Sequence, residues 1–272
     1  MKGRTVITTG ANSGLGLAIV LEVARRGFRS VGTVRSQAKA RVVREAAAEA
    51  GITVETALLD VTNATQCKTV MDRFRPWGLV NNAGSPLVAA IEDVSDREAK
   101  ALLETMVVAP MRLARLALPH MRRHGAGRIV NMSSIYGLVS TPLNGWYQGA
   151  KQALEGLSDA LRVEVRSAGV QVILVEPGGF KTELWEDAKR NVEERRPSQY
   201  QAAYERTLQG IRLSMPLLAS PSRVAGVIGR ALTSRRPRPR YLVGYDAQLA
   251  NVLNRTVPTS VKDRLMRLTL GL

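Results

Sequence analysis

Tyr147 and Lys151 have side chains suited to moving a proton, and they lie four residues apart. On a helix this spacing places them on one face, one turn apart. A nearby ammonium favours the ionised form of a phenol and lowers its pKa from about 10 toward the working range. Ser134, at the end of the apolar run 128–132, adds a hydroxyl that can hold the reacting oxygen by a hydrogen bond. The trio predicts proton transfer to or from a carbonyl or alcohol oxygen.

Taken alone, a tyrosine and a lysine at this spacing are more often two surface residues of a helix, because short motifs recur by chance. The interpretation therefore depends on the elements around them. A strand that ends at Ser134 and a helix that carries Tyr147 would bring the hydroxyl, the phenol and the ammonium together.

A glycine-rich turn near the N-terminus predicts a nucleotide site. The strand-like run 5–9 is followed by Gly10-Ala11-Asn12-Ser13-Gly14-Leu15-Gly16, and the helix 17–26 follows. Glycines here let the backbone turn sharply and approach a ligand, and the new helix N-terminus favours a pyrophosphate. The spacing is Gly-x-x-x-Gly-x-Gly rather than Gly-x-Gly-x-x-Gly. A glycine turn that binds nothing is the alternative.

The residue after the second strand indicates which cofactor binds. An acidic residue there would bind the ribose 2′-hydroxyl of NAD, whereas this chain has Arg35 after the strand 30–34. An arginine can pair with a 2′-phosphate. The sequence therefore favours NADP(H) over NAD(H), and a solvated surface arginine is the alternative.

Polar residues at other strand ends extend the predicted crevice. Asp60 ends the strand 53–59 and is expected either to hydrogen-bond adenine or to cap the helix 64–74. Buried amides in Asn81-Asn82-Ala83-Gly84 need hydrogen-bond partners, which suits a role in tying strand ends together. The expected cofactor contacts are Gly10, Asn12, Ser13, Gly14, Leu15, Gly16, Arg35, Asp60, Val61, Asn82, Ala83, Gly84, Tyr147, Lys151, Pro177, Gly178 and Thr182.

Strands and helices alternate along the whole chain, which predicts an α/β fold. We expect a Rossmann-like doubly wound parallel sheet of about seven strands with helices on both faces. Residues 1–245 would form one dinucleotide-binding and catalytic domain, with a polar, helical substrate lid at 183–216. Residues 246–272 would be a C-terminal helical extension of that domain. The long helical pattern 96–124 is expected to be interrupted near its two prolines, Pro110 and Pro119.

The net charge of +16 raises the question of an anionic partner. Basic residues are spread over the predicted helices, and only 235–240 is a dense run, so we expect no nucleic-acid partner. Peripheral contact with a membrane surface is an alternative that the composition does not favour. The single cysteine, Cys67, the lack of a leader pattern and the lack of a long apolar run predict a soluble, cytoplasmic protein.

These motifs occur together in the order and spacing of a known family. The glycine turn, Asn81–Gly84, Ser134, Tyr147-x-x-x-Lys151 and Pro177-Gly178 resemble the short-chain dehydrogenases/reductases over about residues 4–245. The resemblance implies that Tyr147 is the acid in reduction or the base in oxidation. It also implies that Lys151 lowers the phenol pKa and binds the nicotinamide ribose, and that Ser134 orients the substrate oxygen. Family members commonly assemble, so a homodimer or homotetramer is expected.

One position departs from that pattern. Met106 stands where many members carry an asparagine, which is thought to hold a water in a proton relay to the lysine. The alternative function is therefore a cofactor-binding sensor or scaffold with little or no turnover.

A weaker similarity to hydroxysteroid and retinol dehydrogenases implies a fairly large apolar substrate, with ketone or aldehyde reduction favoured. Candidate wall residues are Tyr136, Leu143, Phe180 and Trp185. The alternative is that these side chains only pack the lid.

Overall fold

A seven-stranded parallel sheet is the centre of the computed structural model, which describes residues 3–180, 184–195, 197–215 and 218–272. The strands are β1 (Thr5–Thr9), β2 (Arg29–Val34), β3 (Glu55–Leu58), β4 (Gly78–Asn81), β5 (Gly127–Met132), β6 (Val170–Pro177) and β7 (Arg240–Val243). Their order in the sheet is β3-β2-β1-β4-β5-β6-β7, and every neighbouring pair is parallel. The predicted fold class is confirmed.

Burial on both faces explains the composition of the central strands. All residues of β1, β4 and β5 are buried, as expected of a parallel sheet covered by helices on both sides. The chain runs outward from β1 to β3 and then returns to place β4 on the other side of β1. This reversal opens a crevice at the carboxyl ends of β1 and β4, where doubly wound sheets bind ligands.

Helices cover both faces of the sheet. They are α1 (Gly14–Arg25), α2 (Gln37–Glu49), α3 (Ala64–Phe74), α4 (Asp96–Leu103), α5 (Ala109–Arg123), α6 (Gly145–Glu164), α7 (Leu184–Glu193), α8 (Gln201–Ser214), α9 (Pro221–Thr233), α10 (Tyr245–Thr256) and α11 (Thr259–Leu270). One hydrophobic cluster joins α3 and α5 to the sheet through Met71 and Leu113. A second joins α1 and α9 to the sheet through Ile19 and Ile228.

The long pattern 96–124 differs from expectation at its second proline. A π-helical turn, Glu104–Val108, joins α4 to α5, and Pro110 stands in the first turn of α5, where a missing N–H is tolerated. Pro119 lies inside α5, which continues to Arg123. The predicted interruption near Pro119 was therefore wrong, because packing of the apolar face of α5 on the sheet offsets the hydrogen bond that a proline cannot donate.

Helices α7 and α8 form the segment that we predict to be a substrate lid, and a buried phenol ties α8 to the body of the protein. The Tyr204 hydroxyl accepts a hydrogen bond from the Ala90 N–H and donates one to Asp93, each over 2.7 Å. The C-terminal extension forms α10 and α11, separated at Pro258. Among the helices that the structure describes, none is long and apolar enough to span a bilayer.

Candidate active site

The glycine turn after β1 has a backbone that requires glycine. Gly10 and Gly14 have φ angles of +66° and +50°, a region that L side chains rarely adopt. A Cβ atom on Gly16 would overlap the carbonyl oxygen of Gly10. The turn therefore holds helix α1 close against the end of β1.

The start of α1 leaves N–H groups available for an anion. Its N-cap, Ser13, makes no side-chain capping hydrogen bond, and the first turn carries no acidic residue. The unpaired N–H groups and the positive end of the helix dipole suit a phosphate. This glycine-lined helix start thus fits the pyrophosphate of a dinucleotide.

Asn82 and Thr9 fix the shape of the glycine turn. The Asn82 side-chain amide donates to the carbonyl oxygens of Thr9 and Gly10, over 2.9 and 3.2 Å. The Thr9 hydroxyl accepts from the backbone N–H groups of Asn82 and Ala83, over 2.9 and 3.0 Å. The amide thus ties the ends of β1 and β4 together, as its position after a buried strand predicts.

The proposed catalytic trio is assembled from the end of β5 and the start of α6. Ser134 follows β5, and Tyr147 and Lys151 lie on consecutive turns of α6. The Lys151 ammonium donates to the Met132 carbonyl over 2.7 Å and lies 5.6 Å from the centroid of the Tyr147 ring. Tyr136 packs edge-to-face on Tyr147, with ring centroids 6.0 Å apart. The structure therefore brings together the three residues that the sequence singled out.

Burial dominates the electrostatics of this trio. It raises the pKa of Tyr147 to about 12, while an interaction with the Ser134 hydroxyl opposes the rise. Burial also lowers the pKa of Lys151 to about 8, opposed by the negative charge of Glu155. The expectation that Lys151 lowers the phenol pKa was wrong for this state. The Lys151 ammonium is held by a backbone carbonyl and is itself costly to keep charged.

One cleft collects most of the residues expected to bind a cofactor. It has a volume of about 170 Å³ and is lined by Gly10, Ser13, Gly14, Leu15, Gly16, Asn82, Gly84, Ser85, Pro86, Met106, Met132, Ser133, Tyr147, Lys151 and Asp187. Met106, singled out from the sequence, is buried on its wall. Sequence reasoning missed Ser85 and Pro86, although they directly follow the Asn-Asn-Ala-Gly motif. It also missed Asp187, which only the folded lid brings to the cleft.

Other expected cofactor residues lie outside that cleft. Arg35 is exposed at the end of β2, and its charge helps to lower the pKa of Asp60. The larger causes of that shift are hydrogen bonds from the Thr62 hydroxyl and N–H to the Asp60 carboxylate, over 2.7 and 2.9 Å. The cap of α3 is Asn63 rather than Asp60.

The remaining expected residues are placed as follows. Asn12 is half-buried in the glycine turn, Ala83 lies against Gly10, and Val61 is buried in the core beside α5. Pro177 ends β6, and Thr182 lies outside the described residues.

A larger, mostly apolar cavity adjoins the trio. Its volume is about 610 Å³, within the range of small-molecule sites. Ser134 and Tyr147 lie on its wall, together with Tyr136, Val88, Ile135, Gly178, Phe180, Ala188, Ile211, Leu218, Ala219, Tyr245 and Asp246. Tyr147 therefore faces both the cleft and the cavity.

Two of the four expected wall residues line this cavity, namely Tyr136 and Phe180. Leu143 does not, because it is buried in a hydrophobic cluster under the lid with Val88 and Tyr204. For Leu143 the packing alternative holds. The side chain of Trp185 lies outside the described part of the chain.

The turn after β6 is held by the C-terminal extension. The Gly179 N–H donates to the Asp246 carboxylate over 2.6 Å, and a Cβ on Gly178 would overlap that carboxylate. Helix α10 therefore helps to build the cavity mouth. Across the described residues, no group of three His, Cys, Asp or Glu side chains is arranged to hold a metal ion.

Comparison with known proteins agrees with this geometry. The family model described as short chain dehydrogenase matches residues 4–193. The uncharacterized oxidoreductase YusZ of Bacillus subtilis is 31% identical, with 98% of each chain covered. The 17-beta-hydroxysteroid dehydrogenase type 6 of Mus musculus is also 31% identical, over 100% of this chain and 90% of its own.

Solved structures share the fold. A short-chain dehydrogenase from Streptomyces avermitilis is 30% identical, with 97% of this chain and 95% of its own covered and a TM-score of 0.78. Two others are 25% identical. One is a Burkholderia phymatum short chain dehydrogenase/reductase in complex with NAD (97% and 95% covered, TM-score 0.81), and the other is a metagenomic short-chain oxidoreductase in complex with NADP (89% and 97% covered, TM-score 0.71). The chain thus belongs to the short-chain dehydrogenase family of oxidoreductases.

Proposed function

We propose that this protein is an NADP(H)-dependent oxidoreductase that reduces a ketone or aldehyde of a hydrophobic substrate, or oxidises the corresponding alcohol. The observation that carries the proposal is the position of Tyr147, whose side chain faces both the glycine-lined cleft and the apolar cavity. A proton donor at that junction can reach a carbonyl oxygen whose carbon faces the cofactor.

Each residue of the site has a task in this reaction. A bound nicotinamide supplies the hydride. The N–H groups at the start of α1 hold the pyrophosphate, and Lys151 binds the nicotinamide ribose. The Ser134 hydroxyl hydrogen-bonds the reacting oxygen, and Tyr147 gives that oxygen a proton. Burial raises the pKa of Tyr147 to about 12, so the phenol carries the proton that a reduction consumes.

The preference for NADP(H) rests on Arg35. It is exposed immediately after β2, and the residues on either side of it, Val34 and Ser36, carry no negative charge to repel a 2′-phosphate. Relatives at equal identity bind NAD or NADP, so the proposal depends on this chain's own residues. Charge-assisted hydrogen bonds of about 1.5–3 kcal/mol correspond to roughly a ten- to hundredfold gain in affinity.

Cofactor titration tests this preference. On binding, the cofactor should quench protein fluorescence and shift the nicotinamide fluorescence. We expect NADPH to produce these changes at a lower concentration than NADH does. Arg35→Ser should weaken NADPH binding roughly ten- to a hundredfold and leave NADH binding unchanged. Arg41→Ser is the matched control, because Arg41 is an exposed arginine on α2 whose ion pair with Glu45 is solvent-exposed. Tighter NADH binding by the unaltered protein would refute the argument from Arg35.

Met106 favours a second candidate, a cofactor-binding protein with little turnover. Its buried apolar side chain lines the cleft beside Gly84 and offers no hydrogen bond to a relay water. A screen of apolar ketones and aldehydes with NADPH separates the two functions. Tight NADPH binding without reduction of any carbonyl in the screen would support the second, and turnover that Tyr147→Phe abolishes would support the first.

Two partner proposals accompany this function. We expect a homodimer or homotetramer in the cytoplasm, and a monomer in sedimentation equilibrium would contradict the first part. The exposed faces of α10 and α11 carry apolar side chains at helical spacing: Tyr245, Leu249, Val252 and Leu253, then Val261, Leu265 and Leu268. Arg255, Arg264 and Arg267 flank them, so an anionic bilayer surface remains the alternative partner, which the scattered basic residues do not favour. No co-sedimentation with anionic vesicles at physiological salt would exclude it.

A further inference from the structure

The inner face of helix α6 continues past Lys151 as a row of ionisable side chains. Lys151, Glu155 and Asp159 follow at intervals of four residues, which places them on consecutive turns of one face. Lys151 and Glu155 are only 7% and 6% exposed, whereas the Asp159 side chain is 40% exposed. The row therefore leads from the buried catalytic lysine to solvent.

A second carboxyl group and one arginine complete this cluster. Glu176 on β6 is 2% exposed and lies 3.3 Å from the Nε atom of Arg240. The same arginine, on β7, donates to Glu155 over 2.9 Å and to both Asp159 oxygens over 2.8 and 2.9 Å. The charged groups that face the pair Glu155 and Glu176 are thus Lys151 and Asp159 on α6 and Arg240 on β7.

The hydrogen bonding of this cluster is incomplete without an extra proton. One oxygen each of Glu155 and Glu176 is fully buried and makes no hydrogen bond of ordinary geometry, although the Glu176 oxygen is the one that lies 3.3 Å from the Nε atom of Arg240. The buried Ser133 hydroxyl beside Glu155 likewise makes no hydrogen bond of ordinary geometry. Two buried carboxylates beside each other repel, and neither satisfies the other while both are ionised. A proton on one of them supplies the missing donor and removes the repulsion.

The charges of the cluster agree with this assignment. Burial and the neighbouring charge of Glu155 raise the pKa of Glu176 to about 7. Burial likewise raises the pKa of Glu155, opposed by Ser133 and Arg240. The negative charge of Glu155 in turn opposes the lowering of the Lys151 pKa, so the lysine and the carboxyl pair interact electrostatically. Protonation of the pair and of Lys151 is therefore coupled near neutral pH.

We propose that Glu155 and Glu176 form a buried carboxyl pair that shares one proton and exchanges it between Lys151 and solvent at Asp159. This proposal rests on the proposed reductase function for its use. In each reduction, the O–H bond of Tyr147 breaks and its proton leaves on the product alcohol. Lys151 restores that proton, and the carboxyl pair one turn along α6 reprotonates Lys151, each transfer passing through a bridging water. Water at the Asp159 end then reprotonates the pair. One proton enters for each that leaves, and no electron moves along this path.

This path supplies protons without any contribution from Met106. The ionisable side chains among the described residues of the cofactor cleft are Tyr147, Lys151 and Asp187. Asp187 is held in an ion pair with Arg190 on the lid. The carboxyl pair behind Lys151 is the buried acid that the rest of the mechanism leaves without a task.

Infrared spectroscopy tests the shared proton without any turnover. We expect a protonated buried-carboxyl band that titrates near neutral pH and is lost in Glu176→Gln. Glu55→Gln is the matched control, because it removes a carboxylate that binds Arg29 at the surface, over 2.5 and 2.9 Å. In Lys151→Met the band should titrate about one pH unit higher, because a positive neighbour is gone. Absence of the band, or an unshifted titration, would overturn the proposal.

Kinetics test the relay itself. Glu155→Gln should keep NADPH affinity and single-turnover hydride transfer but lower the steady-state rate, on the order of ten- to a hundredfold, with an increased solvent deuterium isotope effect. Glu155→Asp, which keeps a carboxyl, should restore much of the rate. The relay would be refuted by an unchanged steady-state rate. It would also be refuted if the rate fell only as much as the amount of folded protein fell. If the unaltered protein reduces no carbonyl, the proposed function fails, and the infrared titration still decides the carboxyl pair.

Discussion

Replacing Glu176 by glutamine should change the pH dependence of folding stability. Glu176 is buried, faces the like charge of Glu155, and has its pKa raised from 4.5 to about 7. Between these values the folded protein binds more protons than the unfolded chain, so stability falls as pH rises from about 4.5 through 7. Above pH 7 the full cost of the ionised carboxylate is present. Glutamine cannot ionise and should remove this dependence.

The size of the effect follows from the pKa values of Glu176 in the folded and unfolded chain. A tenfold difference between the two acid dissociation constants is worth about 1.4 kcal/mol, and most of the window between the two pKa values lies between pH 5 and pH 8. As pH rises from 5 to 8, the unaltered protein should lose about 2 to 3 kcal/mol of unfolding free energy relative to Glu176→Gln.

Urea unfolding at pH 5 and pH 8 measures this difference. Glu55→Gln provides the contrast, because hydrogen bonding to Arg29 lowers the pKa of Glu55. The stability contributed by a carboxyl with a lowered pKa is present above its unfolded value and lost in acid. Between pH 5 and pH 8 this control should show a small loss that hardly changes with pH. A Glu176→Gln difference that is equally flat would refute the reasoning about burial.

Three further changes test other parts of the structure. Asn131→Ala should lower the unfolding free energy by about 2 to 4 kcal/mol, because the buried Asn131 amide bonds both Asn81 and the Ser158 hydroxyl, each over 2.8 Å. A loss below about 0.5 kcal/mol in urea unfolding would contradict this. Gly16→Ala should weaken cofactor binding more than tenfold in a fluorescence titration, because its Cβ overlaps backbone, whereas Gly156→Ala has open space and should leave affinity intact. Tyr147→Phe should lower the rate of carbonyl reduction by about 10² to 10⁴ with unchanged cofactor affinity. If cofactor affinity fell by the same factor as the rate, the phenol would serve binding rather than proton transfer.

Local patterns were enough to predict the sheet. Continuous apolar runs predicted the strands because both faces of a parallel sheet are buried. The boundaries were close: the expected strand 5–9 is β1, and the expected helix 64–74 is α3. Pro119 was misjudged, since the packing of α5 on the sheet, rather than local chemistry, decides whether a helix tolerates a proline.

The candidate site divides in the same way. The spacing of Tyr147 and Lys151 settles that they share a helix face, because the helical period is a local property. Whether the ammonium lowers the phenol pKa depends on how deeply the phenol is buried and on where the ammonium lies. Burial raised the Tyr147 pKa instead of lowering it. Leu143, chosen as a wall residue for its apolar side chain, is packed under the lid instead.

Amino-acid order alone was enough to predict the fold class, the glycine turn and the residues that could transfer a proton, because each depends on chain geometry within a few residues. The groups behind the site depend on how the elements pack against one another. Glu155, Glu176 and Arg240 meet there from three separate elements, and Asp187 reaches the cleft from the lid. Distances between such residues, and the loss of water around them, arise when the sheet and helices pack, and no local spacing records them.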